Sequence, residues 1–219
     1  MTRIIDEKVK CAVCGKEVTQ NVLLSTNSFG YSDTDFRPPQ MMRSAMSSYV
    51  AMCPECGYAN EDLSKRISSF TRVFVKQSEY KRLAEGVRER RYNKFYLCAY
   101  LKEKECHNNE AAKYYKMAAW FFDDACNSEM AYKAREKAIE CTRKTECGAR
   151  RFADKIILAD MLRRNAHFEE ALEVLKKIDT GNLKKEESIH LEYLKELCEA
   201  NDSKCHTLEA AFKKRSEND

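Results

Sequence analysis

The chain has 219 residues, a formal net charge of +4 and 43% hydrophobic residues. This length is sufficient for one or two domains with a buried core. All three prolines and three of the six glycines lie within the first 60 residues. Because glycine and proline supply tight turns, the region after Pro54 is expected to form helices joined by short polar turns. This composition excludes a β-sandwich, a β-barrel and a glycine-rich phosphate loop for most of the chain.

Residues 1–60 have the composition of a small module built from hairpins. Runs typical of β-strands lie at 18–24 and 49–52, and the loop at 27–40 between them is rich in Ser, Asp, Gly and Pro. From Glu61 onward apolar residues recur every three or four positions, which indicates helices with one buried face. We therefore predict a domain boundary near residue 60, with a metal-binding domain before it.

The domain at 61–219 is expected to contain seven or eight helices, each of roughly 12–20 residues. Most of the expected helix starts carry small polar residues, which can cap the unpaired backbone N–H groups of a first turn. These starts are Asn108/Asn109, Asn127/Ser128, Gly148, His167, Asn182 and Asp202/Ser203.

An internal repeat relates 107–116 to 167–176, at an offset of 60 residues. The second copy resembles the helix–turn–helix of a tetratricopeptide repeat, in which a small residue such as Ala171 lets paired helices approach and an aromatic such as Phe168 wedges between them. Asn165 stands where that pattern usually has glycine, and the offset is not a multiple of the ~34-residue period. We expect a tetratricopeptide-like α-solenoid with irregular repeats, and an ordinary helical bundle is the alternative.

The sequence carries no signal for export or membrane insertion. Five charged residues lie within the first ten, and no apolar segment follows them. The longest fully apolar run, 117–122, is far shorter than the ~20 residues of a membrane-spanning helix. We therefore expect a cytoplasmic protein with no membrane partner. In a reducing cytosol its eleven cysteines are expected to be metal ligands or buried apolar residues.

Four cysteines form two C-x-x-C-G motifs, Cys11 with Cys14 and Cys53 with Cys56, separated by 38 residues. Two residues between the cysteines let both thiolates reach one cation, and the glycine permits the positive φ of a tight turn. Four such sulfurs form a closed tetrahedral Zn²⁺ site, so we expect one structural zinc ion. The alternatives are two redox pairs, for which the usual βαβ context is missing, or four unrelated cysteines.

Two further motifs accompany these cysteines. An Asp-x-Asp-Phe-Arg-Pro stretch lies at 33–38, and the second cysteine pair ends in Gly-Tyr-Ala at 57–59. Together with the two cysteine pairs they resemble the bacterial domain-of-unknown-function family 2225. The resemblance is close over about the first 60 residues and implies a zinc-ribbon-like segment followed by helices that often look tetratricopeptide-like. The family has no assigned activity, so the resemblance implies an architecture and no function.

Asp33 and Asp35 are candidates for binding a cation or an arginine of a partner. The alternative is local turn chemistry, in which the carboxylates accept backbone N–H bonds. Arg37, two residues further on, is placed to pair with either carboxylate.

The other seven cysteines form no motif. Cys98 and Cys198 fall on apolar helical faces and are expected to pack as small hydrophobic residues. Two Cys-His pairs, at 106–107 and 205–206, lack the ligand spacing of a local metal site. No nucleophile motif accompanies the four histidines, so we expect no enzymatic activity. The remaining cysteines are Cys126, Cys141 and Cys147.

The stretch 81–94 contains six Lys and Arg residues, with aromatic residues at 92, 95 and 96. Interleaved cations and aromatic rings are typical of surfaces that bind phosphates and stack on bases. The same composition also occurs on solvated helix faces with buried rings, and two glutamates at 85 and 89 dilute the charge.

These observations favour a mainly α, non-enzymatic protein. A small β-containing, zinc-ribbon-like head would precede a tetratricopeptide-like solenoid that acts as a protein–protein interaction module or scaffold. Tyr114, Trp120 and Phe121 are candidates for the partner groove, with core packing as the alternative. A second hypothesis is a nucleic-acid-binding protein that uses the basic helix 81–94. A third is an enzyme whose active site is assembled from distant helices.

Overall fold

The computed structural model describes residues 2–145 and 151–216. The N-terminal elements are strands β1 (Arg3–Lys10) and β2 (Glu17–Ser25), helix α1 (Gln40–Arg43), a 3₁₀ helix (Met46–Tyr49), and strands β3 (Ala51–Met52) and β4 (Ala59–Asn60). The helices that follow are α2 (Ser69–Phe74), α3 (Ser78–Arg88), α4 (Lys94–Lys104), α5 (Asn108–Asp124), α6 (Ser128–Lys144), α7 (Phe152–Arg164), α8 (Phe168–Lys176), α9 (Lys185–Glu199) and α10 (Leu208–Ser216). The prediction of a mainly helical fold with a small β-containing start is confirmed.

Each C-x-x-C-G motif is the turn of an antiparallel hairpin. β1 pairs with β2 across the first motif, with Lys10 opposite Glu17, and β3 pairs with β4 across the second, with Met52 opposite Ala59. The sequence analysis predicts β2 but not β1, because charged residues interrupt the apolar pattern of β1 and almost all of it is exposed. The strand expected at 49–52 is shorter than predicted, since the 3₁₀ helix extends to residue 49.

The chain divides into two compact units. The first comprises Met1–Asn27 and Met41–Thr145, and the second comprises Ser28–Gln40 and Glu146–Asp219. Both hairpins and helices α2 to α6 therefore belong to the first unit, while α7 to α10 belong to the second together with the loop that links the hairpins. Residue 60, where the sequence analysis places a domain boundary, lies inside the first unit and marks the change from strands to helices along the chain.

Successive helices pack against one another within each unit. Helix α5 packs on both α4 and α6, and α8 packs on both α7 and α9. The buried residues of α5 include Ala111, Tyr114, Tyr115 and Ala118, which recur at the three- and four-residue spacing of one helical face. Among the helices of the described chain, none combines the length and apolar character needed to cross a bilayer.

Five helices of the described chain end in the same turn without using glycine. The first residue after each helix keeps a negative φ, the second adopts a left-handed φ between 53° and 62°, and the N–H of the residue after that bonds to the carbonyl five residues earlier. One such bond joins the His107 N–H to Lys102 O, and another joins the His167 N–H to Leu162 O, both at 2.9 Å. This arrangement is a Schellman motif. The left-handed residues are Arg90, Cys106, Cys126, Ala166 and Asn201.

The internal repeat falls on two of these turns. His107 precedes α5 with φ −85° and ψ 63°, and His167 precedes α8 with φ −87° and ψ 59°. Four residues later, Ala111 and Ala171 are both fully buried, and their N–H groups bond to the histidine carbonyls. The repeat in the sequence therefore reproduces a local structure, a turn with the first turn of the helix after it.

The expected helix starts at 108–109, 127–128 and 167 are confirmed to within one residue. Helix α10 begins later than predicted, because the Asp202 N–H closes the turn that ends α9 by bonding to Leu197 O at 2.9 Å. Helix α9 begins at Lys185 rather than at the predicted Asn182. The start predicted at Gly148 lies outside the described residues.

Cys126 provides a test of the shared turn, because it is exposed and has φ 55°. We expect Cys126→Gly to unfold at a higher urea concentration than Cys126→Ala, by about 1 kcal/mol in free energy of unfolding. Glycine adopts a positive φ without the Cβ clash that alanine keeps. Equal stability of the two variants would contradict a left-handed residue at this position.

Candidate metal centre

The four cysteines of the two hairpin turns come together in the first unit. The Sγ atoms of Cys11 and Cys56 lie 3.7 Å apart, those of Cys14 and Cys53 lie 3.8 Å apart, and all four lie within 4.8 Å of one another. A tetrahedral ion with metal–sulfur bonds of ~2.3 Å requires sulfur–sulfur separations of about 3.8 Å. The closest pairs match this value, so the four cysteines fit a tetrahedral metal ion.

The two turns share one backbone conformation. In the first turn the Cys11 N–H bonds to Lys16 O at 2.9 Å, and the Gly15 N–H bonds to Cys11 O at 2.7 Å. The corresponding bonds of the second turn measure 2.8 and 2.9 Å. Gly15 and Gly57 have φ of +73° and +79°, a conformation that other residues rarely adopt. Each turn therefore directs its two sulfurs toward the same point.

Burial and hydrogen bonding shift the pKa values of Cys14, Cys53 and Cys56 in different directions. Burial raises the pKa of the Cys56 thiol well above its usual range, and it also raises the pKa of Cys53. Burial by itself would raise the pKa of Cys14 as well. Hydrogen bonds from the Lys16 N–H and the neighbouring thiols outweigh this effect and lower the pKa of Cys14. Metals bind thiolates rather than thiols, and a divalent cation favours the deprotonated form. The positive charge of such a cation would offset the negative charge of four clustered thiolates.

Tyr80 of α3 fixes the second hairpin turn. Its buried hydroxyl donates to Gly57 O and accepts from the Ala59 N–H, both at 3.2 Å. Burial raises the pKa of this hydroxyl well above its usual value, so it stays protonated and keeps its ability to donate. One side chain therefore satisfies two buried backbone groups next to the cysteines.

Two more residues of the same face of α3 contact this turn. Ala84, four residues after Tyr80, is so close to Gly57 that a Cβ at Gly57 would lie 2.7 Å from its own Cβ. Arg88, a further four residues on, donates to Pro54 O at 2.9 Å. The sequence analysis does not predict this role for α3. The four-residue spacing is visible in the sequence, but nothing in the sequence identifies the turn as its partner.

The segment after β4 holds the first hairpin turn. The Ala12 N–H bonds to Leu63 O at 2.8 Å, and the Leu63 N–H bonds to Oε1 of Gln20 at 3.0 Å. Leu63 is fully buried. Both turns are therefore attached to the first unit by contacts other than the sulfurs.

Asp33 and Asp35 lie in the second unit and are buried, with 1% and 5% of their surfaces exposed. The Asp35 carboxylate accepts the Arg37 N–H at 3.1 Å, and the Phe36 N–H bonds to Asp33 O at 2.9 Å. The Asp35 bond is the local turn chemistry expected as the alternative to a binding role. The Asp33 carboxylate accepts instead from the Cys205 thiol at 3.4 Å.

Thr34, between the two aspartates, belongs to a buried polar network. Its hydroxyl donates to Asp160 at 3.0 Å, and Nε2 of His190 donates to its carbonyl at 2.8 Å. Burial lowers the pKa of His190, which favours the neutral ring. Asp160 also pairs with Arg163 at 2.8 Å, with both side chains almost completely buried. No local sequence pattern indicates this network, because Thr34 is 126 residues from Asp160 and 156 residues from His190.

The basic stretch 81–94 forms most of α3 and the turn to α4. Arg88 and Arg91 pair with the two glutamates of the stretch, Glu85 and Glu89. Phe95 is buried, and the half-buried rings at 92 and 96 stack with centroids 5.3 Å apart. This is the arrangement of a solvated helix face with packed rings.

The aromatic candidates for a partner groove are mostly core residues. Tyr114 and Trp120 are buried with 2% and 3% of their surfaces exposed. Phe121 stacks on the buried Phe95 with ring centroids 4.7 Å apart. Core packing, the alternative in the sequence analysis, accounts for these rings.

Of the other cysteines, Cys98 and Cys198 are buried as predicted. Cys106 and Cys126 are exposed at the left-handed ends of helices. Cys147 lies outside the described residues. Across residues 2–145 and 151–216, the hairpin cysteines are the one group of three or more His, Cys, Asp or Glu residues with ligand atoms close enough to hold a metal.

The fold and the site define a mainly helical protein whose N-terminal hairpins carry four cysteines placed to bind a metal ion. Residues 4–199 match the model of the family described as "Uncharacterized protein conserved in bacteria (DUF2225)". The match covers most of the chain, which therefore belongs to this family, and the resemblance seen in the sequence is confirmed. No curated protein and no solved structure matches the chain.

The two hydrogen bonds between the Tyr80 hydroxyl and the second turn predict that Tyr80→Phe destabilises the protein. The substitution leaves the Gly57 carbonyl and the Ala59 N–H without their partner in a buried place, so we expect a loss of about 1–3 kcal/mol in free energy of unfolding. Urea unfolding followed by circular dichroism measures this change. Tyr31→Phe, at a tyrosine that is 50% exposed, is the control and should change stability by less than about 0.5 kcal/mol.

The buried network of the second unit predicts a larger loss for Asp160→Ala. Arg163 would remain buried without its carboxylate, so we expect about 3–5 kcal/mol of destabilisation in thermal or urea unfolding. Glu192→Ala removes an exposed carboxylate that also pairs with a lysine, and it should have little effect. Similar stabilities for the two variants would rule out a structural role for the Asp160 pair.

Proposed function

We propose that this protein is a non-enzymatic, cytoplasmic scaffold in which one structural Zn²⁺, bound by Cys11, Cys14, Cys53 and Cys56, stabilises helices that bind another protein. The observation that carries the proposal is the tetrahedral spacing of four sulfurs on two matched turns. Sulfur would occupy all four positions of the ion, which leaves none for water or substrate. A closed site of this kind supplies folding free energy rather than catalysis.

The bound ion would join the two hairpins, which are far apart in sequence. The second hairpin is attached to α3 through Tyr80, Ala84 and Arg88. Zinc would therefore connect the first hairpin to the helices of its unit as well as to the second hairpin. Its contribution to stability should extend beyond the strands.

The helices are proposed to be tetratricopeptide-like, with irregular repeats. Support comes from the matching turns before α5 and α8, from the buried Ala111 and Ala171 at equivalent positions, and from the packing of successive helices. Asn165, at the usual glycine position, keeps negative φ, and the following Ala166 adopts the left-handed conformation instead. The two compact units interrupt the series between α6 and α7, which agrees with the irregular offset of 60 residues.

A partner protein would bind a surface other than the aromatic residues first considered, since Tyr114 and Trp120 are buried. The alternative function, nucleic-acid binding through 81–94, has weaker support. Two of its arginines are paired with glutamates, Phe95 is buried, and the half-buried rings at 92 and 96 stack on each other.

The zinc proposal predicts one zinc ion per chain in freshly purified protein, measured by inductively coupled plasma mass spectrometry. Cys14→Ser should bind well under half of that amount. Because structural zinc contributes about 10–16 kcal/mol of apparent folding free energy, the variant should also lose protection from proteolysis in both hairpins and in α3.

Cys126→Ser is the matched control, because Cys126 is an exposed cysteine outside the cluster. It should keep one zinc ion and the native digestion pattern. Protein purified without metal would contradict a structural site. Protein that contains iron with visible thiolate absorption would contradict zinc while keeping the four ligands.

A further inference from the structure

The segment 63–78 of the first unit is positively charged and carries no acidic residue. Its cations include Arg66, Arg72 and Lys76, all exposed. Within the part of the chain that the structure describes, none of these three forms an ion pair. A surface with unneutralised cations is complementary to a negatively charged partner.

Apolar side chains are exposed among these cations. Phe70 and Val73 are 44% and 61% exposed and lie one turn apart on α2. The adjacent face of this helix is buried through Thr71 and Phe74. We refer to Arg66, Phe70, Arg72, Val73 and Lys76 as the α2 surface. It combines an apolar centre with a basic rim, the arrangement found at protein interfaces.

The α2 surface rests on a rigid base. The Phe70 ring stacks on the buried Phe74 ring with centroids 5.2 Å apart. Phe74 in turn contacts the rings of Tyr80 and Tyr100, each at 6.0 Å. Tyr80 is the residue that bonds to both sides of the second cysteine turn. A continuous set of contacts therefore links the surface to the candidate metal centre.

The size and chemistry of the α2 surface favour a protein partner over a membrane or a nucleic acid. A six-residue helix with two exposed apolar side chains offers little of the apolar area that interfacial membrane helices bury. Recognition of single-stranded nucleic acid relies on several aromatic rings that stack on successive bases, and this surface presents one ring, that of Phe70. An acidic protein segment with one aromatic or aliphatic side chain matches both parts of the surface.

We propose that the α2 surface binds an acidic segment of a partner protein. The apolar side chain of that segment packs on Phe70 and Val73, and its carboxylates pair with Arg66, Arg72 and Lys76. Binding depends on the metal-loaded second turn, because that turn holds Tyr80 beneath the surface. This inference rests on the proposed protein-interaction function and names the class of partner.

The test begins with a displayed library of random 12-residue peptides selected on the immobilised, metal-loaded full chain. We expect enrichment of peptides rich in Asp and Glu that carry an aromatic or aliphatic residue. One enriched peptide, labelled with fluorescein, then serves as the probe in anisotropy titrations. The double variant Phe70→Ser/Arg72→Gln should weaken its binding about tenfold or more, since it removes an aromatic anchor and a paired cation.

The matched control is Leu24→Ser/Arg3→Gln, which removes one exposed apolar side chain and one cation from the β1–β2 hairpin. It should change the affinity less than about twofold, since it lies outside the α2 surface. Removal of the metal with a chelator should weaken peptide binding to wild type as much as the Phe70→Ser/Arg72→Gln change does. Retention of full peptide affinity after complete metal removal would overturn the proposed coupling.

No enrichment of acidic peptides would overturn the assignment of the surface, and so would equal peptide binding by the two double variants. A third contrary result has two parts: the wild-type chain binds no peptide, and it binds a 16-nucleotide polyuridine or phosphatidylserine vesicles more tightly than the Phe70→Ser/Arg72→Gln variant does. Metal content measured on the same samples shows whether the surface proposal or the zinc proposal has failed. One zinc per chain together with failed peptide binding leaves the structural metal in place and rejects this surface.

Discussion

The central interaction of the first unit is the meeting of four sulfur atoms from two separate hairpins. β3 and β4 have two residues each, too few for a hairpin to be stable by itself. β1 and β2 are longer, but β1 is almost fully exposed and buries little apolar surface. Stability at this end of the chain is therefore expected to come from contacts outside the strands, among them the contacts of α3 and Leu63 with the two turns. A divalent ion at the cluster would connect all of these parts through one centre.

The segment between the hairpins forms part of the second unit. It leaves the first unit after Asn27, contributes a buried turn to the second unit, and returns at Met41. Thr34 bonds there to Asp160 and receives a bond from His190. The acidic motif that first suggests a cation or partner site is thus part of the interior of the second unit. The Asp35 carboxylate stabilises a turn that belongs to the same unit as the helices of the last third of the chain.

What the sequence predicts and what it misses follow from the range of the interactions. The cysteine pairs are local motifs, so their spacing predicts the ligand set, and the helical period after Glu61 predicts the helices. The hydrogen bonds of Tyr80 to the second turn and of Thr34 to Asp160 join segments that are distant in sequence. No local pattern indicates which group either side chain bonds to. The assignment of the 28–40 segment to the second unit is missed for the same reason.

Gly57 differs from the left-handed residues that end the helices in what surrounds it. At Gly57 the backbone has φ +79° and lies against Ala84, so a side chain there is excluded both by conformation and by space. The left-handed residues that end the helices, such as Arg90, Cys106 and Ala166, have the same sign of φ but are exposed, so their Cβ atoms meet solvent. Each of them costs about 1–2 kcal/mol in backbone strain, which the packing of the adjoining helices offsets. At Gly57 the approach of another element adds to this strain, and this second constraint makes glycine necessary there, whereas the exposed helix ends accept other residues.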